Sequence, residues 1–149
     1  MSLNKIAFAY ITIPKTGIID SKNKYLPQVL FKNADPDSVQ LVIVTVGLFF
    51  SSNKPYAIEA DVLFDGETVI DSAYSSDDKM QIPVYGEPEP GQIVSLSHLQ
   101  VNGVKFKKSG IYQVRCSLAE DMEKLNSKQF VDIVDTYFYV GINTDEAAN

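Results

Sequence analysis

The sequence predicts an all-β domain: a two-sheet antiparallel β-sandwich of seven to nine strands, with a closed β-barrel as the alternative. Three observations lead there. Short runs alternate apolar and polar residues with a period of two, turn residues punctuate those runs, and helical spacing of apolar residues is almost absent. A chain of 149 residues is one domain's worth, so residues 1–149 read as a single unit without repeats.

Each element follows from its residues. Ile6, Phe8, Tyr10 and Thr12 oppose Ala7, Ala9, Ile11 and Ile13, so residues 4–13 predict a first strand, ended by Pro14. Residues 15–24 are polar and carry Gly17, a loop with a short extended piece at Ile18-Ile19. A short apolar run covers 25–31, and Asn33-Ala-Asp35-Pro-Asp37-Ser38 is a turn. Residues 39–50 are apolar on both faces, which predicts a central strand covered on both sides.

Residues 56–64 place Ile58, Ala60, Val62 and Phe64 inward, with Glu59 and Asp61 outward. Asp65-Gly66 is a tight hairpin cue into a strand over 68–74. Residues 75–79 form a polar loop. A short edge piece at 81–85 contains Pro83, which cannot donate to a ladder, and Gly86-Glu-Pro-Glu-Pro-Gly91 predicts a stiff surface loop. Residues 92–101 read as a strand, and Asn102-Gly103 is a second hairpin cue leading to Val104-Lys-Phe106. A charged connection at 120–129 contains one helical turn at 121–125. Residues 130–142 are the last strand, and 144–149 a frayed tail.

The most informative stretch is Ser109-Gly110-Ile-Tyr112-Gln-Val-Arg-Cys116-Ser-Leu118. Tyr112, Val114, Cys116 and Leu118 fall on one face of a strand that starts at a Ser-Gly turn. A tyrosine at that place ties a sandwich corner to its own backbone. Gly110, Tyr112 and Cys116 are therefore assigned structural roles. Gly110-Ile-Tyr112 resembles the late-strand corner of immunoglobulin-like and fibronectin-like domains, over residues 92–142. Val114 stands where antibody-type domains carry a cysteine, and there is neither a second cysteine nor a tryptophan. The resemblance thus implies the general sandwich without its disulfide-centred core. The longer plan is similar to small bacterial or phage β-sandwich proteins, a likeness that implies no activity.

Composition narrows the function classes. Lys and Arg number 13 against 19 Asp and Glu, a net charge of −6, which argues against nucleic acid as a partner. The densest basic cluster is Lys105-Phe-Lys-Lys108. Cys116 is the only cysteine and reads as a small buried hydrophobe. No stretch has the length of a membrane-spanning helix and the start lacks a secretory pattern, so the cytoplasm is the expected location and no membrane partner is expected.

Catalytic groups are scarce. His98 is the only histidine and reads as a strand residue facing solvent or the sheet surface; no Gly-x-Ser-x-Gly elbow, phosphate loop or dinucleotide fingerprint accompanies it. Calcium is the metal best suited to the acidic groups Asp35/Asp37, Asp77-Asp78, Glu87/Glu89 and Asp132/Asp135, yet turn aspartates cap nearby amides without any metal. No cofactor or metal is therefore assigned. Tyr74, Tyr85, Tyr112, Tyr137 and Tyr139 supply aromatic surface, and the binding candidates are Tyr74, Tyr85, Glu87 and Glu89 on the loops and the proline-guarded edge. The expected function is a non-enzymatic binding or interaction module that takes another protein or a small ligand. Two alternatives stand beside it: a structural subunit that self-associates through residues 4–13 or 39–50, and a carboxylate-based hydrolase.

Overall fold

A computed structural model describes residues 3–14, 25–74 and 79–143. Within them lie nine strands: β1 (Lys5–Thr12), β2 (Leu30–Ala34), β3 (Gln40–Ser51), β4 (Ala57–Phe64), β5 (Glu67–Thr68), β6 (Lys79–Glu89), β7 (Gln92–Val104), β8 (Gly110–Ala119) and β9 (Asp132–Ile142). A 3-10 turn, Ser72–Tyr74, follows β5, and a short helix, α1 (Met122–Asn126), separates β8 from β9. The strands form two open sheets, ordered β1-β3-β7-β6 and β2-β9-β8-β4-β5. The fold is an all-β sandwich and not a closed barrel. Among the described residues no helix is long and apolar enough to cross a membrane.

Period-two alternation builds the core. Val42, Val44 and Val46 of β3, Val62 of β4, Val114 and Cys116 of β8 and Val140 of β9 are fully buried. They come from both sheets and meet between the layers. Burying one such aliphatic side chain contributes roughly 1.5–3 kcal/mol relative to exposure. β3 lies between β1 and β7 and is covered on its other face as well, where Ile43 and Thr45 are buried. Tyr25 stacks there on His98 with centroids 3.7 Å apart, and Gln28 bridges to Ile11.

Several elements differ from the sequence reading, each for a physical reason. In β1 the pairing register shifts at Ala7, so Ile6 and Ile11 both reach the core while Phe8 turns outward over Gly47. A bulge of this kind inverts the alternation that the residues suggest. β2 begins at Leu30 and runs parallel to β9; no hairpin joins the two, so nothing forces them antiparallel. His98 is buried, not on a solvated face, because Tyr25 covers it and Thr45 Oγ1 lies 2.8 Å from its Nδ1.

The strand expected over 68–74 stops after Thr68. Asp71 N–H donates to Gly103 O and Lys105 N–H to Val69 O, so the chain leaves one sheet and crosses to the end of the other. β6 is longer than the expected edge piece and absorbs residues 86–89 of the predicted proline loop, leaving Pro90-Gly91 as the turn into β7. Its register breaks lie at Pro83 and between Gly86 and Glu89, around Pro88, where a missing N–H costs no ladder bond. Asn102-Gly103 makes no hairpin. Both residues lie inside β7, Gly103 has φ of +73°, and the β3 partner register slips beside it. The predicted piece at Ile18-Ile19, the Asp77-Asp78 pair and the tail at 144–149 lie outside the described residues.

Candidate functional site

An open cleft of about 550 Å³ forms where two segments pass between the sheets. One is the β4–β5 hairpin with its exit, residues 64–71. The other is the lysine loop, residues 105–108, between β7 and β8. Asp65 and Gly66 both have positive φ, +52° and +81°, the conformation of a two-residue hairpin turn. Beyond it, Val69 N–H donates to Val62 O at 2.9 Å, and an isolated bridge joins Ile70 to Val104 of the other sheet. Tyr74 then packs against Gly103, where any Cβ would lie 2.5 Å from the tyrosine's own.

The lysine loop is held from below. Phe106 is fully buried and meets Tyr112 edge-on, with centroids 5.0 Å apart, while Lys107 and Lys108 remain exposed. Tyr112 Oη donates to Lys108 O at 2.7 Å and accepts from Lys108 N–H at 3.4 Å. The phenol that closes the sandwich corner therefore fixes the backbone of a cleft residue. Burial raises the Tyr112 pKa, opposed by the Lys108 backbone bond and supported by the nearby Asp65 charge. Phe64 completes the aromatic floor 4.6 Å from Tyr112, and its ring would touch a Cβ at position 110, the place of Gly110.

Charge is distributed unevenly over the two segments. Lys105 Nζ pairs with Asp71 at 3.2 Å and links them. The backbone N–H of Ala73, and then Lys105, hold the Asp71 carboxyl below its usual range. Lys107 reaches only the carbonyl of Pro36, at 3.5 Å. Among the described residues, no carboxylate lies within ion-pair distance of Lys107 or Lys108, and no cation pairs with Asp65 or Glu67. The cleft thus offers two ammonium and two carboxylate groups that internal pairing has not consumed. It contains no cysteine or histidine. Such a lining can bind and orient a ligand.

The residues singled out from sequence are dispersed. Tyr74 sits at the Gly103 end of β7, whereas Tyr85 is exposed on β6 opposite Ser95. Eight residues of strand separate those positions, roughly 26 Å at about 3.3 Å per residue. Glu87 accepts from Gly91 N–H in the β6–β7 turn, and Glu89 pairs opposite Gln92. Tyr85, Glu87 and Glu89 therefore share one end of the sandwich and Tyr74 lies at the other. Tyr137 and Tyr139 are exposed on the outer face of β9, and Tyr112 is in the core. Cys116 is fully buried, and desolvation pushes its thiol up to about 12. His98 lines neither the cleft nor the smaller apolar hollow at Phe8, Gly47 and Leu96.

Several of the acidic groups considered for calcium are engaged within the protein, while Asp77-Asp78 lie outside the described residues. Asp35 Oδ1 caps Asp37 N–H, Asp132 accepts from Ile6 N–H, and Asp135 holds Arg115. Among the described residues no three metal-ligating side chains cluster. The cleft itself escaped the sequence reading. Its two signals, the Asp-Gly turn and the lysine cluster, lie 40 residues apart between positions 65 and 105, and only the crossing at 69–71 brings them together. No protein-family model matches the chain, and a comparison with curated proteins finds no match.

Proposed function

We propose that this chain is a non-enzymatic binding module whose ligand enters the cleft between the β4–β5 hairpin and the lysine loop. One observation carries the reading: unspent charges of both signs stand over an aromatic floor, on backbone fixed by the sheet-to-sheet bonds and by Tyr112. A site whose backbone is held in advance has less freedom to lose when it is occupied. Its volume falls within the range of roughly 300–1,000 Å³ typical of ligand sites. The test is amide chemical-shift mapping during titration with a small-fragment set. Responses should gather at 65–71 and 105–108 and fade in a Lys107→Ser/Lys108→Ser double variant. Responses confined to the β6 edge would overturn the assignment.

Self-association is a second reading, favoured by one row on the outer face of the five-stranded sheet. Leu30, Tyr139 and Ile111 lie side by side on β2, β9 and β8, and all three are exposed. Of the surfaces expected from sequence, β3 is interior, with a strand on each side. Light scattering at micromolar concentration distinguishes the readings, because a strict monomer removes the second.

A further inference from the structure

We infer that the cleft takes a short, extended peptide segment bearing side chains of both charges, added as a strand to the free edge of β5. This rests on the cleft being the ligand site and goes further by naming the ligand. β5 is the outermost strand of its sheet. Antiparallel pairs alternate between hydrogen-bonded and non-bonded residues. Val69 bonds back to Val62, so the next pair, Thr68 with Leu63, is of the non-bonded type. The Thr68 N–H and C=O therefore point away from β4, on a residue that lines the cleft. Thr68 Oγ1 donates to Asp61, at 2.7 Å, and accepts from Ile70 N–H, at 3.3 Å, and neither bond uses the Thr68 backbone N–H or C=O. A peptide residue laid along it can exchange two backbone bonds with Thr68, the chemistry by which exposed sheet edges capture extended chains.

Charge decides which peptide. Asp65 and Glu67 repel a polyanion that Lys107 and Lys108 attract, and a polycation meets the reverse. A segment with one acidic and one basic side chain satisfies both pairs. Its arrival also matches the charges of a lining with no net excess.

The experiment titrates labelled protein with four blocked pentapeptides: acetyl-Glu-Val-Thr-Val-Lys-amide, its all-acidic and all-basic counterparts with both end residues alike, and the mixed peptide N-methylated at its central residue. The mixed peptide should move the amides of 65–71 and 105–108. N-methylation, the uniform-charge substitutions and Thr68→Pro should each weaken it about tenfold, the scale of one or two lost hydrogen bonds or a mismatched charge. Thr68→Pro removes the outward N–H together with the side-chain bonds to Asp61 and Ile70. Thr68→Val, which loses only the side-chain bonds and should bind as the parent does, is its control. The N-methyl peptide asks the same backbone question should the proline variant not fold. Equal binding by the uniform or N-methylated peptides overturns the inference. So does silence of the cleft toward all peptides while small fragments still bind there, an outcome that leaves the cleft reading intact. Silence toward peptides and fragments alike overturns both.

Discussion

Replacing Tyr112 by Phe removes one oxygen and keeps the ring. The contacts with Phe64, Phe106 and Phe138, at centroid distances of 4.6, 5.0 and 5.9 Å, are available to either side chain. What disappears is the donation to Lys108 O at 2.7 Å and the longer acceptance from Lys108 N–H at 3.4 Å. A net hydrogen bond is worth about 1 kcal/mol, and the longer contact adds little. Unfolding entropy near the midpoint is about 2.1 cal/mol/K per residue, or roughly 0.3 kcal/mol/K for this chain, so Tm should fall by about 3 °C. Urea titration should show a lower midpoint with an unchanged slope, since the buried surface is the same. Tyr112→Ala, which also empties the ring's space, should cost about 3–5 kcal/mol and sets the scale. Hydrogen exchange should accelerate at Lys108 and its neighbours in Tyr112→Phe. A Tyr112→Phe melting curve that overlays the parent would refute the reasoning, because it would mean that water replaces the bond without loss.

The other predictions concern buried polar groups, one glycine and the thiol. Thr45→Val keeps the shape and deletes the partner 2.8 Å from His98 Nδ1, so urea denaturation should show a loss of about 1–3 kcal/mol; an unmoved midpoint would contradict it. Gly91→Ala faces open space and should cost only the left-handed backbone, about 1–2 kcal/mol. Gly103→Ala also meets Tyr74 and should cost more, which paired melts of the two variants would show. Burial raises the Cys116 pKa to about 12, so the folded state keeps its proton where an unfolded thiol, at about 8.5, has lost it. The associated stability is complete below about pH 8.5 and drains as pH rises towards 12, by about 2 kcal/mol at pH 10. Stability differences between pH 8 and 10 should therefore be smaller in Cys116→Ala than in the parent, and a thiol-reactive probe should label Cys116 only after unfolding.

The sandwich was legible because its signals are local. Val42, Val44, Val46 and Leu48 alternate along one strand, and Tyr112, Val114, Cys116 and Leu118 along another, and each set is buried. The features that misled are those where one residue breaks a local rule for a distant partner. Ala7 inverts the alternation of β1 because β3 sets its register. Gly103 carries a hairpin signature yet accommodates Tyr74 inside a strand. His98 looked like a surface residue because its cover, Tyr25, lies 73 positions away. The cleft shares this character: neither the acids at 65 and 67 nor the lysines at 107 and 108 carry a motif, and their meeting depends on residues 69–71 changing sheets.

The double burial of β3 also shapes how the chain must be made. Residues 41–50, Leu-Val-Ile-Val-Thr-Val-Gly-Leu-Phe-Phe, carry no charge and no proline, the composition of segments that stack into cross-β aggregates. β1 precedes β3 in the chain, but β7 is complete only at Val104, 53 residues after Ser51. At about 5–20 residues per second, synthesis leaves that flank of β3 without its partner for roughly 3–10 s. During this interval the strand that anchors the finished sandwich is the part of the nascent chain most in need of chaperone cover. Expression yield should accordingly respond more to temperature and holdase supply than to changes at the cleft.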